Sequence, residues 1–308
     1  MRPAITLLGP QRRPTVDKVM RAIDLDAPVA IVTAGWQERE EDDGELRELL
    51  GGRAVNLGLH QRWMDLLDRD REYAVAERQH RSVLDELQQH YLIQLDHALR
   101  ATYAVAQRHD GHPRTREAAL ADALAVVNLV DQQHVVRVRD VHRAFYEAWS
   151  PQDRPVVAEH REAVRTTLES AAGLAVAGGN VGVLVRLLHL FHLAPHLPPT
   201  VVAWSAGAMA LTEQVVLFHD RAPQGPAHTE VFDEGVGVVR GAVLLPHARR
   251  RLNVDDLVRM SVLARRFAPA HCVVLDDGVR LDLTADGGTP SGARVVGRDG
   301  RISTLEQE

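Results

Sequence analysis

Between residues 59 and 170 the sequence holds a single glycine, Gly111, whereas glycine and proline punctuate the segments on either side repeatedly. That contrast constrains the fold more than any other feature, because glycine marks places where a backbone turns sharply or approaches another closely. In the first flank, apolar runs at residues 4–8 and 29–33 end at Gly9-Pro10 and Ala34-Gly35, and a third run spans 54–57. Helical spacing over 16–23 and a charged helix candidate over 40–50 separate them. Apolar runs alternating with helices predict a parallel sheet covered on both faces.

The glycine-poor middle has a different period. Leu84, Leu87, Tyr91, Leu95, Ala98, Thr102 and Val105 step by three or four, which puts them on one helix face. Gly111-His112-Pro113 breaks the pattern, a second periodic run covers 115–149, Ser150-Pro151 breaks again, and a third run covers 156–172. No heptad is kept, so packed helices are expected and a long coiled coil is not. His80, His90 and His97 read as polar-face residues of these helices.

Beyond the middle the α/β pattern resumes. The run 174–177 ends in Gly178-Gly179, a helix is predicted over 181–193, and the run 201–204 leads into Ser205. Residues 242–245 lead to Pro246-His247, and 272–275 lead to Asp277-Gly278, a hairpin-like turn signal. Two more short strand-and-turn units are expected before Glu308. The predicted fold is a three-layer α/β domain with a mostly parallel sheet, formed by 1–58 and 171–308 and interrupted by an all-helical insertion at 59–170.

Composition narrows the function classes. With 45% apolar and 25% charged residues in 308, the chain reads as globular and long enough for a sizeable core. A formal charge of −6 gives no reason to expect nucleic acid or an anionic membrane as partner. No apolar run is long enough for a membrane span, and the first ten residues are too short for a signal peptide, so the cytoplasm is the expected compartment. The one cysteine, Cys272, lies in an apolar run, which excludes an internal disulfide and a thiolate zinc cluster and predicts a buried, inert thiol.

The chemistry is concentrated at residues 201–208, where a buried strand feeds Ser205 between the small residues Ala203 and Gly207. This is the pattern of a nucleophile elbow, whose sharp turn lifts the hydroxyl above the sheet edge and sets it at a helix N-terminus. The local pattern serves equally well as a helix cap. Gly178-Gly179-Asn180, Trp204-Ser205-Ala206-Gly207-Ala208 and Pro246-His247, in that order, together resemble the serine peptidase family of dipeptidase E and cyanophycinase. That family is similar in fold to class I glutamine amidotransferases but uses serine. The resemblance covers 173–290 well and 1–58 loosely. The chain departs from the family at Val181, Ala203 and Ala248, where threonine, glycine and an aromatic residue are usual, and in its insertion.

The resemblance implies Ser205 as nucleophile and His247 as its base. It also implies Asp220 as the carboxylate partner of His247, with Glu213 and Asp233 as fallbacks. Gly179 and Ala206 would supply oxyanion N–H groups. Asn180 and Arg249, the latter in the run Arg249-Arg250-Arg251, are the candidate substrate contacts, with a solvated basic loop as the plain alternative for the arginines. The expected reaction is hydrolysis of small aspartyl or β-aspartyl peptides through an acyl-enzyme. The same residues would also serve acyl transfer to an amine, and a non-catalytic scaffold that recognises a protein partner through the insert is the rival from another class.

No cofactor or metal is expected. The spacing of His189, His192 and His196 suits metal ligands on one helix face, but prolines at 195, 198 and 199 end that helix and no His-Glu-x-x-His motif accompanies it. The glycine turn at 178–179 lacks a Walker lysine. The insertion is expected to act as a lid, a docking module or a homo-oligomer contact.

Overall fold

The computed structural model describes residues 3–11, 16–23, 28–220 and 228–306. The first flank forms β1 (Ala4–Leu8), α1 (Val16–Ile23), β2 (Val29–Val32), α2 (Gly44–Leu49) and β3 (Ala54–Asn56). The middle forms α3 (Leu59–Arg69), α4 (Arg71–Ala106), α5 (Pro113–Ala148) and α6 (Pro155–Ser170). Then come β4 (Gly173–Val176), α7 (Val181–Leu190), β5 (Thr200–Trp204), α8 (Ala206–Ala210), β6 (Gln214–Leu217) and β7 (Glu230–Glu234). The chain closes with β8 (Ala242–Pro246), α9 (Ala248–Arg251), α10 (Leu257–Phe267), β9 (His271–Leu275), β10 (Arg280–Asp282), β11 (Arg294–Val296) and β12 (Ile302–Thr304).

The fold is mixed α/β with a mostly parallel sheet and a long helical region. The main sheet has six strands in the order β10-β1-β5-β4-β2-β3, all parallel except β10. Its central strands are buried along their length, as expected for a parallel sheet covered on both faces. Side-chain alternation sorts them into two layers. Val201, Ala203, Leu174 and Val176 join one core with α3, α6 and α7. Val202, Trp204, Ala175 and Ile31 join the other, with Val16 and Val19 of α1 and Leu46 of α2.

The strands do not all share one sheet. β8 and β9 pair in parallel in a second, four-stranded sheet of order β12-β11-β9-β8, and β6 pairs with β7 in a separate two-stranded sheet. The turn at Asp277-Gly278 forms, with the Val279 N–H donating to Asp276 O at 3.1 Å. It does not close a hairpin, because β10 crosses over and pairs antiparallel with β1. This crossing ties the two sheets together.

Helices α4 and α5, each of 36 residues, lie antiparallel. Thr102 bonds Ala123, Tyr91 bonds Asp131, and the His80 ring stacks on Phe145 at 4.2 Å, so numbers rise on one helix as they fall on the other. Pro113 occupies the first turn of α5, where its missing N–H costs nothing. The hairpin is anchored to the remainder of the molecule by a buried polar network. Arg266 of α10 binds both oxygens of Asp131 and the Thr229 carbonyl, while Tyr91 donates to Asp131 and accepts from Val231 N–H. Helices α3 and α6 contribute Leu59, Trp63, Leu66, Val157, Val164 and Leu168 to the same core as the strands. Among the described residues no helix is long and apolar enough to cross a membrane.

Candidate active site

β5 ends at Trp204, and Ser205 adopts φ 53°, ψ −124° before α8 begins. A side chain with a β-carbon rarely occupies that region, and such strain clusters at functional sites. The small neighbours have a direct steric reason. A β-carbon on Gly207 would lie 2.4 Å from Val176 O and 2.6 Å from Ala177 O, so only glycine lets α8 start this close to β4. Gly178 packs directly on Ser205: a β-carbon there would lie 3.0 Å from the serine Cβ. Gly179 has φ 124°, and a β-carbon there would meet Gly35 O at 2.3 Å.

The N–H groups of Gly179 and Ala206 form no backbone hydrogen bonds among the described residues. Both residues line a cleft of about 350 Å³ that also contains Ser205. The same cleft is lined by Arg251, from the run Arg249-Arg250-Arg251, and by His219 and Glu230, two residues that the motifs did not single out. Arg251 is half-buried and has no carboxylate partner among the described residues. Burial, and then the neighbouring Arg250, lowers its pKa below the ordinary arginine value. Burial also raises the Glu230 carboxyl, whose Oε2 is sealed from water without a partner.

His247 follows β8 in the left-handed conformation, φ 57° and ψ 33°. The parallel registers bring Leu8, Trp204, Pro246 and Leu275 to the carboxyl ends of their strands. The second sheet's edge reaches the first where Asp276 O packs against Gly9, so closely that a β-carbon there would lie 1.9 Å from it. Asp277 lies at ion-pair distance from His247, with Oδ1 3.9 Å from Nδ1 and 60% of its side chain exposed. No hydrogen bond joins the Ser205 hydroxyl to the His247 ring.

The other expected site residues lie elsewhere. Asp220 accepts from Arg259 at 2.6 Å and from Asn253 N–H at 3.0 Å, so both its oxygens are engaged in holding α10 and its leading loop. Glu213 accepts from Gly241 N–H, and Asp233 receives His142. The Asn180 side chain caps α7 by accepting from Val183 N–H, and it faces a different cavity. Arg249 is 64% exposed, with its Nε 3.6 Å from Asp276, and does not line the cleft. Sequence spacing around Ser205 carried no information on the partners of Asp220, Glu213, Asp233 and Arg249, because each lies on a chain segment remote in sequence.

His189 Nε2 donates to the Glu234 carbonyl oxygen at 3.1 Å, and among the described residues no group of three or more His, Cys, Asp or Glu side chains is arranged to hold a metal ion. Cys272 is buried, and burial pushes its thiol up to about 12.

No family model and no curated protein sequence matches the chain. Among solved structures it is similar to a peptidase from an acI-B1 Actinobacterium, at 12% identity and a TM-score of 0.45, over 99% of this chain and 95% of that one.

Proposed function

We propose that the protein is a serine-dependent amide hydrolase of the dipeptidase E and cyanophycinase kind, with a class I glutamine amidotransferase-like fold, acting on small peptides that carry an acidic group. The observation that carries this reading is the backbone of Ser205, held at φ 53° in a cleft also lined by Gly179 and Ala206, whose N–H groups make no backbone hydrogen bond among the described residues.

In this reading Ser205 Oγ attacks the substrate carbonyl carbon as its proton passes to His247 Nε2, and the Gly179 and Ala206 N–H groups receive the oxyanion. Collapse breaks the C–N bond, the amine leaves with the proton from His247, and an acyl ester remains on Ser205. Water then attacks that ester, giving its proton to His247, and the released serine takes the proton back. The orienting carboxylate is Asp277, which stands on the Nδ1 side of the ring. Asp220 is not proposed for that role, since Arg259 and Asn253 already hold it. The acidic group of the substrate meets Arg251, the cleft's uncompensated cation, in preference to Arg249.

Labelling by a fluorophosphonate tests the reading. Wild type is expected to label stoichiometrically, Ser205→Ala and His247→Ala not at all, and Asp277→Asn more slowly. With aspartyl dipeptides as substrates, Arg251→Met is expected to lose activity while leucyl dipeptides remain poor substrates for both. A folded wild type that takes no label would overturn the proposal.

A further inference from the structure

A second cavity, of about 1100 Å³, lies between the α4–α5 hairpin, α7 and β7. Its lining shares no residue with the Ser205 cleft. The two stand back to back across one turn of chain: Gly179 and Val181 face the cleft, while Asn180, Gly182 and Val183 face the cavity.

The inner wall of this cavity carries more positive charge than it neutralises. Arg186 projects from α7 with only 24% of its side chain exposed. Its guanidinium lies over the Trp63 ring at 4.3 Å, and its Nε is sealed without a hydrogen bond. The nearest carboxylate oxygen, Glu77 Oε1, is 3.8 Å from that Nε and accepts instead from the Trp63 indole N–H at 3.1 Å. The same Glu77 is the carboxylate nearest to Arg81, at 3.9 Å. Arg161, on the same cavity, bonds the Leu190 carbonyl and has no carboxylate partner among the described residues. Glu77 is thus the carboxylate nearest to both Arg186 and Arg81, while Arg161 has none among the described residues.

The remaining acids of the lining are engaged or outermost. Asp233 is held by His142, Glu234 by Arg139, and Glu147 lies 4.0 Å from Arg143, which also binds Asp140. Arg78 and Asp85 oppose one another in sign at exposed positions. Between the cations the wall is aromatic, formed by Tyr73, Phe145, Tyr146 and Phe232. Half-buried cations without full hydrogen bonding are costly, and an anion that accepts from their guanidinium forks relieves that cost.

We infer that this cavity is a binding site for an organic acid, with its carboxylate held by Arg186 and Arg161 and its apolar body against the aromatic wall. The inference is independent of the hydrolase reading, because no residue of the Ser205 cleft takes part.

Calorimetric titration of the full chain with naphthalene-2-carboxylate, and with the neutral naphthalene-2-carboxamide, tests it. The carboxylate is expected to bind at one site, and the carboxamide about tenfold or more weaker, the cost of losing charged hydrogen bonds. Arg186→Met is expected to weaken the carboxylate by a similar factor and to leave the carboxamide unchanged, whereas Ser205→Ala keeps full affinity. Leu84→Trp adds bulk to the cavity wall and retains every charge, so it decides the matter if Arg186→Met does not fold; it is expected to abolish binding. Equal affinity for acid and amide, no binding of either, or full-strength binding to a folded Arg186→Met or Leu84→Trp variant would overturn the inference.

Discussion

The proposed nucleophile, Ser205, is set apart by its backbone as much as by its hydroxyl. At φ 53°, ψ −124° a β-carbon is strained by about 1–3 kcal/mol, a cost that glycine does not incur. Ser205→Gly is therefore expected to be more stable than Ser205→Ala by about 1 kcal/mol in urea unfolding, the strain relief being partly offset by glycine's larger chain entropy. Equal stability would mean the turn is unstrained. His80 carries a different cost. Burial, then the neighbouring His142, lowers its pKa from 6.5 to about 4, and its Nε2 has no hydrogen-bond partner. The unfolded chain thus binds a proton that the folded chain refuses. The stability present above pH 6.5 is lost as the pH falls towards 4, and no further loss from this group follows below that. His80→Gln is expected to flatten the decline of Tm over that window; an unchanged decline would assign it to other groups. The polar-face reading of His80 fails because helical period reports which residues share a face, and the opposing helix turns that face inward against Phe145.

At the scale of elements, the α4–α5 hairpin is fastened to the molecule by the pair Asp131–Arg266, of which the arginine side chain is only 1% exposed. Replacing one partner leaves the other charged and buried, whereas replacing both with apolar groups removes the problem. Asp131→Leu alone is expected to cost about 3–5 kcal/mol, and Asp131→Leu with Arg266→Met to recover most of that. A double-mutant cycle in denaturant measures it, and additive losses would show that the pair is not coupled. The hairpin also supports the wall of the Ser205 cleft, since Asp96 of α4 holds His228 at 2.6 Å and Tyr91 holds Val231 N–H at 3.0 Å. Both partners lie beside Glu230 on the cleft wall.

Over the whole molecule, the proposed nucleophile and base come from different sheets. Ser205 follows a strand of the six-stranded sheet, His247 follows one of the four-stranded sheet, and the two sheets touch where Gly9 packs on Asp276. A β-carbon at Gly9 cannot be relieved by rotating a side chain, because what it meets is the Asp276 carbonyl. Gly9→Ala is expected to destabilise the fold by about 1–3 kcal/mol. It is also expected to slow fluorophosphonate labelling of Ser205, although neither proposed catalytic side chain has changed. Wild-type labelling in a destabilised Gly9→Ala variant would show that the sheet junction does not align the pair.

Much of this molecule is written in local pattern. Apolar runs at the period of buried strands, the 3.6-residue spacing of the long helices, and the breaks at Gly111-His112-Pro113 and Ser150-Pro151 marked β1 to β5, α5, α6, β8 and β9 within a few residues, whereas α3, β6, β7 and α10 went unmarked and α4 begins at Arg71, well before Leu84. The small residues around Ser205 marked the sharp turn, because steric demand there falls on immediate neighbours. What the sequence by itself could not decide was which distant groups meet. The division of strands between two sheets depends on where β10 pairs, and the engagement of Asp220 depends on Arg259. That Asp277 stands near His247, that Arg251 and not Arg249 lines the cleft, and that arginines line a second cavity were illegible for the same reason. Strand pairing and ion pairing are settled by contacts between segments far apart in the chain, and a linear spacing holds no record of the distance across which such groups face one another.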